Sequence, residues 1–320
     1  MTQDGYWTTI CKICSLGPSR YAMKDNKIFV VVPVFNGWQQ TRTCINHLKA
    51  GTYTDFSIIV VDHGSTDGTK EGLKTEYPDV IHILGSPELW WTGATNLGIA
   101  YALDHGAGYV MLLNNDCYVD RHTLEILVNH IGQTGESVVA PVQRSLHSGI
   151  ILTTPVVTCF LLGFPTLRLS GRPLYNPEQH ELIKTKLIIG GRGVLIPRSV
   201  LERVGLLDET NLVHYGSDHD FYLRCRKHHI PLFIAADAIL DVDETRTTLA
   251  IRLGSLTLRE FRDTLNERRS HRNLRDLSAL FRLHYPIPGL WWLGVGLNLL
   301  RYTLVYAIAR GLFLLKPGQK

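Results

Sequence analysis

Three runs of aliphatic residues stop abruptly in polar, turn-forming clusters, and this repeated junction constrains the fold more than anything else in the chain. Val31-Val32-Pro33-Val34 runs into Phe35-Asn36-Gly37, and Val60-Val61 runs into Asp62-His63-Gly64-Ser65-Thr66-Asp67-Gly68. Val110-Met111-Leu112-Leu113 runs into Asn114-Asn115-Asp116. Apolar runs without alternation read as strands buried on both faces, which requires helices on either side of a mostly parallel sheet. In such open sheets ligands lie just outside the carboxyl ends of the strands. Asn and Asp also close ordinary turns after strands, so one junction alone does not separate a site from a turn. Repetition of the design favours a site.

The pattern between the junctions supplies the helices. Strands are expected at 27–34, 57–61, 80–84, 109–113 and 137–140, and helices at 39–50, 69–76, 94–105 and 121–131. This alternation predicts an α/β fold with helices on both faces of a mostly parallel sheet. From 143 to 185 periodicity fades and Pro155, Pro165, Pro173 and Pro177 enter, which reads as a loop-rich insertion over one face. Strand character returns over 186–197, helices follow at 199–204 and 217–228, and one or two short strands at 231–241.

Charge is divided unevenly. Nine Arg against four acids from 246 to 284, and two Arg and two Lys against none from 285 to 320, give the last quarter a surplus of +9. With a total of +4, the rest of the chain carries −5. An acidic body joined to a basic, apolar tail suggests contact with an anionic membrane surface, and the tail is too apolar for nucleic acid to be the partner. The six cysteines are scattered, which argues for a reducing compartment, and Cys11-x-x-Cys14 lacks the second pair a zinc site needs. The first residues show no basic start followed by an apolar core, so the acidic body is expected to face the cytosol.

The tail itself reads as a long Arg-rich helix over 255–284, broken by Pro286 and Pro288, then an apolar helix over 289–315. The uninterrupted apolar stretch 287–297 is shorter than the roughly 20 residues of a span. Arg301 at mid-helix would cost roughly 2.5–3.5 kcal/mol in a bilayer centre. Interfacial or re-entrant helices lead, with a span and a docked soluble helix as alternatives. Trp291 and Trp292, with Arg301, Arg310, Lys316 and Lys320 behind them, suit a headgroup boundary.

Six motifs in order carry a resemblance. They are Val31–Gly37, Asp62–Thr69, Trp91-Thr92-Gly93-Ala94-Thr95-Asn96-Leu97-Gly98, Leu113–Asp116, Val204-Gly205-Leu206-Leu207-Asp208-Glu209 and Ser217-Asp218-His219-Asp220-Phe221-Tyr222-Leu223-Arg224. Together they resemble the family 2 glycosyltransferases of GT-A fold, in particular bacterial cell-surface glycan and rhamnosyltransferase-like members. The resemblance implies a lead segment over 1–25, a GT-A domain over 26–245 and a membrane-associating region over 246–320. Three positions depart from it: His63 stands where Asn is usual, Asn114 replaces the first acid of Asp-x-Asp, and Ser217 replaces the Glu of a Glu-Asp pair.

The resemblance also implies an inverting, metal-dependent transfer of one sugar from a UDP-, dTDP- or GDP-linked donor to a glycan or polyprenyl-linked acceptor at the cytoplasmic face of the inner membrane. A divalent cation, Mg²⁺ or Mn²⁺, would offset charge on the leaving diphosphate, using one or two carboxylates and the diphosphate itself. Asp116 is the expected direct ligand. Asp241 and Asp243 are candidates for a second ligand, since no His occurs in that late strand. Asp62, with the main chain of Pro33, Phe35 and Asn36, would grip base and ribose, and Asn114 and Asn115 would orient sugar or water. Gly93 and Asn96 begin a helix whose amides suit a diphosphate, and Trp91 would stack on a sugar or line the acceptor groove. Asp218 is the expected general base, with an N-cap as its alternative role. Gly191, Arg192, Asp208 and Asp220 are placed on the acceptor side. A degenerate sugar-binding scaffold and a sugar nucleotidyltransferase are the competing readings. The second wants a Gly-rich basic loop after the first strand, which Phe35-Asn36-Gly37-Trp38 does not supply.

Overall fold

The computed structural model describes residues 27–168, 174–176, 178, 181–246 and 253–315. The segment 1–25, with Cys11 and Cys14, lies outside them, as do Pro173, Pro177, Lys316 and Lys320. Strand β1 (Ile28–Val34) is buried along its whole length. It pairs in parallel with β2 (Phe56–Asp62) and β4 (Tyr109–Leu112), and β3 (Ile81–Leu84) extends the row beyond β2. Successive side chains enter opposite cores: Phe29 and Val31 join Ile59 and Val61 on one face, and Ile28, Val30 and Val32 join Ile58 and Val60 on the other. That period of two, with both faces apolar, is why these strands show no polar alternation.

Helices α1 (Trp38–Lys49), α2 (Thr69–Glu76), α3 (Trp90–Asp104) and α4 (Thr123–Thr134) follow the strands as expected, except that α3 starts at Trp90. Gly98 lets α3 lie close to the sheet, since a Cβ there would stand 2.4 Å from a Val31 methyl. The remaining strands are β5 (Cys117–Val119), β6 (Val138–Ser145), β7 (Val156–Cys159), β8 (Phe164–Arg168), β9 (Leu182–Thr185), β10 (Val194–Pro197) and β11 (Leu232–Val242). Helix α5 (Arg198–Val204) follows β10, and α6 (Ser217–Lys227) precedes β11.

The sheet order is β3-β2-β1-β4-β10-β6-β11-β5, with β9 also on β11. Its first four strands are parallel, but β10 runs antiparallel to both β4 and β6, so the sheet is mixed beyond β4. This reversal matters: the residues entering β10 lie beside those leaving β4. The expected insertion over 143–185 contains a hairpin, β7–β8, as well as β9.

The expected single helix over 255–284 is two helices, α7 (Leu258–Asn266) and α8 (Leu274–His284). Thr257 and Glu260 close a capping box at the start of α7, and Asn273 accepts from the Arg275 and Asp276 amides to start α8. Helix α9 (Trp291–Leu314) is long and apolar enough to cross a membrane by length and composition. One side, with Gly294, Asn298 and Tyr306, is buried on the protein. The other carries Leu293, Leu297, Leu300, Leu304, Ile308 and Leu312 in the open, the last four each more than half exposed.

Candidate active site

The turns after β1 and β2 are zipped together. Asn36 donates its amide to Ser65 Oγ at 2.8 Å and accepts the Thr66 amide at Oδ1, also 2.8 Å. Asp67 Oδ2 accepts the Gly37 and Trp38 amides, which caps α1 from the neighbouring turn. Asn36 and Gly37 both adopt positive φ, 55° and 102°. Asp62 is buried and its Oδ1 takes the Ser65 amide at 2.8 Å. Beyond these turns the Phe35 ring meets the His63 ring at 5.3 Å, while Pro33 stays inside β1 opposite Val61. Phe35, Asp62 and His63 therefore form one lip at the carboxyl edge of the sheet.

Segment 267–273, between α7 and α8, reaches over this lip. Arg269 lies 5.0 Å from the Phe35 ring and Arg268 5.8 Å from the Trp90 ring. Tyr215 Oη donates to the Arg269 carbonyl at 3.2 Å, fixing the turn to the segment before α6. His214 packs edge-on against Trp90 and Tyr215. Burial lowers the pKa of His214 to about 4, helped by the charges of Arg269 and His63. Burial also lowers that of His63, against the pull of Asp62. Nδ1 of His63 and Nδ1 of His214 are buried without a hydrogen-bond partner. Two ring nitrogens so placed can hydrogen-bond a bound molecule.

A second lip is built by β4, β5, β10 and β11. Cys117 pairs with Val242, so Asp116 and Asp243 stand across from each other, and the Asp243 amide donates to the Asp116 carbonyl at 2.8 Å. Burial raises the pKa of Asp116; Arg192 draws it down and Asp243 pushes it up. Asp243 is desolvated too, but hydrogen bonds from Thr245 and His147 hold its pKa below the usual value. Asp241 is not free for a metal: Arg144 takes both its oxygens, at 2.6 and 2.9 Å. Strand parity explains this, since Asp241 sits in register with Arg144 on β6 while Asp243 lies beyond the strand end.

Reversal of β10 sets Gly190–Gly193 beside this lip, with the Gly193 amide donating to Leu112 O at 2.8 Å. Arg192 donates to Gln143 Oε1 at 3.1 Å and acts on two carboxylates, Asp116 and Asp218. Asp218 lies in the first turn of α6. Burial raises its pKa, partly offset by the amides of His219 and Gly190 and by Arg192. Tyr222 Oη donates to Gly190 O at 3.0 Å, tying α6 to the glycine turn. Gly191 is needed for closeness, as a Cβ would come 2.7 Å from the Trp91 indole.

Other expected site residues hold the frame instead. Trp91 Nε1 donates to Asn114 Oδ1 at 2.9 Å, and Asn115 Nδ2 donates to Thr41 Oγ1 at 3.0 Å. Asn96 is buried and exchanges hydrogen bonds with the Leu207 main chain, at 2.9 and 3.1 Å, so it faces packing rather than a ligand. Gly93 is buried against Leu89 and Glu209. Asp208 closes its own turn by accepting the Thr210 and Asn211 amides. Asp220 is buried between Arg224 Nε at 2.7 Å and His284 Nε2 at 2.8 Å, which withdraws it from an acceptor. Ser217 is also structural: its Oγ lies 2.7 Å from Thr92 Oγ1. Sequence reading missed His63 and His214 as an orphan pair, together with Gln143, Arg268 and Arg269. Only the density of Arg after 246 hinted at the last two.

A divalent cation fits what these residues offer. Among the described residues no three His, Cys, Asp or Glu side chains converge, but an ion bound mainly by a diphosphate needs only one or two carboxylates. Asp116 with Asp243 is such a pair.

The family described as "Glycosyl transferase family 2" matches residues 29–204. Glycosyltransferase GlyA of Streptococcus pneumoniae is 30% identical over 112 residues, 33% of this chain and 15% of that protein. An uncharacterised glycosyltransferase of Rickettsia prowazekii is 26% identical over 209 residues, 62% of this chain and 58% of its own length. The chain thus spans less than two thirds of either relative. The crystal structure of GalNAc-T7 with UDP, GalNAc and Mn²⁺ superposes with a TM-score of 0.57 at 14% identity, over 70% of this chain and 45% of that one. That likeness concerns the fold.

Proposed function

The chain belongs to glycosyl transferase family 2 and has a GT-A fold, and we propose that it is a glycosyltransferase that moves one sugar from a nucleotide-sugar donor to a hydroxyl of a glycan acceptor with inversion. The observation that carries this reading is the Gly190–Gly193 turn, whose Gly193 amide donates to Leu112 O at 2.8 Å near Asp116 and whose Gly190 amide bonds Asp218, with the charge of Arg192 acting on both acids. The acid leaving β4 and the acid starting α6 therefore border the same mouth.

In this reading Phe35, Asp62 and His63 hold the base and ribose. The buried Nδ1 atoms of His63 and His214 meet donor polar groups, which answers their lack of partners. Arg268 and Arg269 bring positive charge over the same lip. Asp116, with Asp243 beside it, would hold Mg²⁺ or Mn²⁺, and the ion would neutralise charge on the leaving diphosphate. Asp218 takes the proton of the acceptor hydroxyl, whose oxygen bonds to the anomeric carbon from the face opposite the diphosphate. The bond from that carbon to the diphosphate oxygen breaks, and the diphosphate leaves with the electron pair. Desolvation makes Asp218 a stronger base than a carboxylate in water, so proton transfer to it is easier near neutral pH. Trp91, held by Asn114 and pressed on Gly191, forms the wall between the donor and acceptor sides.

A lipid-linked acceptor and work at the cytoplasmic face of a membrane, in cell-surface polysaccharide synthesis, belong to the same proposal. Its support is α9, whose exposed side is a continuous row of Leu and Ile. A helix with one side docked on protein and the other apolar and open suits the plane of a membrane interface better than a crossing.

The experiment is a thermal-shift panel of UDP-, dTDP- and GDP-sugars with Mn²⁺ or Mg²⁺, followed by donor turnover. Stabilisation by one nucleotide class, with metal-dependent release of its diphosphate, is expected. Stabilisation without any turnover, with acceptors supplied, would favour a sugar-binding scaffold instead.

A further inference from the structure

An open cleft of about 290 Å³ lies away from the mouth, lined by Thr158, Phe160, Leu223, Arg226, Lys227 and His284. Phe160 and Leu223 are buried, while Arg226 and Lys227 are exposed on the last turn of α6. Neither base is in an ion pair with a carboxylate among the described residues. Basic residues favour helix ends simply through the helix dipole, so their position alone proves little. Their neighbours are more telling.

The turn after Phe160 leaves Leu161 and Leu162 in the open, 48% and 61% exposed. Helix α9 is anchored to the same turn, with Asn298 Nδ2 donating to Gly163 O at 2.7 Å. A Cβ on Gly163 would stand 2.9 Å from the Leu297 Cβ, so the open row of α9 begins beside the open leucines of this turn. A cationic recess therefore borders one continuous apolar surface. His284 links the recess to α6, since its Nε2 holds Asp220 at 2.8 Å and its ring stacks on Phe160.

We propose that this cleft seats the phosphate headgroup of an anionic membrane lipid, with the acyl chains against Leu161, Leu162 and the exposed side of α9. The inference rests on the membrane reading of α9 given above. One guanidinium and one ammonium group with a threonine hydroxyl match a phosphate diester, and Phe160 and Leu223 match the glycerol above it. No soluble anion would need the apolar border. A seated headgroup would lock α6 relative to the bilayer. The base Asp218 lies eight residues earlier on that helix, about 12 Å along its axis.

The test is flotation of the full chain with phosphatidylcholine vesicles, pure or doped with phosphatidylglycerol. The variants are Arg226→Gln/Lys227→Gln and, separately, Leu300→Asp/Leu304→Asp. Wild type is expected to prefer the doped vesicles. The Arg226/Lys227 variant should lose about fivefold of that preference per charge removed, at about 1 kcal/mol for each basic group near the surface. It should keep its affinity for neutral vesicles and its transfer rate to a soluble acceptor. Monomeric short-chain phosphatidylglycerol should protect wild type in a thermal shift but not this variant, and inorganic phosphate should not compete with it. An unchanged anionic preference in the Arg226/Lys227 variant would overturn the headgroup seat. If Leu300→Asp/Leu304→Asp alone released the protein, the membrane reading would stand without it. Equal competition by inorganic phosphate would likewise overturn a lipid occupant. Failure of wild type to float on any vesicle would remove both.

Discussion

His284 Nε2 donates to Asp220 Oδ1 at 2.8 Å, across 64 positions of sequence, and so joins the end of α8 to the helix that carries Asp218. The other Asp220 oxygen takes Arg224 at 2.7 Å, and Arg224 in turn caps the Val204 and Leu206 carbonyls at 2.7 and 2.8 Å. Burial opposes ionisation of Asp220, but His284 and Arg224 together hold its pKa below the usual carboxylate value. The basic C-terminal segment is thus wired into the helix of Asp218 through one buried carboxylate.

Asp220→Asn should therefore cost about 1–3 kcal/mol, because it leaves a partly buried guanidinium without its counter-charge. A depressed folded pKa means that this stability is present above the ordinary carboxylate value and is lost as pH falls through the folded one. Urea unfolding at neutral pH and in acid measures it. The gap between wild type and variant should narrow in acid; a gap that persists at low pH would assign the loss to packing.

Asp116→Ala should abolish the extra thermal stabilisation that Mn²⁺ or Mg²⁺ adds to nucleoside diphosphate binding, with the apo melting temperature not lowered. Burial already disfavours the charged carboxylate, so its removal relieves a desolvation cost. Titration calorimetry at saturating metal gives the check. Wild-type affinity in the variant would remove Asp116 from the metal site.

Arg269→Ala should weaken a nucleoside diphosphate far more than the matching nucleoside, by roughly tenfold, in line with about 1.5–3 kcal/mol for a hydrogen bond to a charged group. Asp62→Ala should weaken both alike. Equal loss of nucleoside and diphosphate in Arg269→Ala would mean that it serves the base through Phe35 rather than the phosphates.

These tests fall on residues of very different legibility. β1, β2 and β4 were readable because burial on both faces removes every polar residue from the run, and their ends pointed to Asp62 and Asp116. The direction of β10 was not readable: Val194–Pro197 is a short apolar run, and such a run carries no mark of its direction. Hence the placing of the Gly190–Gly193 turn between Leu112 and Asp218 was hidden. Asp241 and Asp243 are equally plausible as text, and only the pairing of Asp241 with Arg144 separates them. Asn96 looked like a phosphate-facing amide, yet a buried main-chain segment at Leu207 claims it. The arginines over 268–272 resembled helix because Arg is a good helix former, and the Asn273 cap breaks that helix.

Gly191→Ala should lower transfer while sparing the base grip, because the new methyl would press on the Trp91 ring from 2.7 Å. Overpacking of this kind costs about 1–3 kcal/mol. The expected result is a fall in kcat with nucleoside affinity unchanged. A variant with normal turnover would show that the wall tolerates movement.

Asp218→Asn is the most direct measurement of the account as a whole. Asn keeps the size of the side chain and an oxygen that can accept the His219 and Gly190 amides, but it takes no proton. Transfer should fall by two orders of magnitude or more, as is typical when a general base is lost, with the donor KM nearly unchanged. In wild type, burial raises the Asp218 pKa, so transfer should decline as pH falls through a value above 3.8. The same shift makes the folded state the tighter proton binder, so this carboxylate costs stability as pH rises from its unfolded to its folded pKa. The Asn variant should accordingly melt no lower than wild type at neutral pH. Near-normal transfer by Asp218→Asn, in a protein that melts like wild type, would contradict the assignment of the base and with it the proposed mechanism.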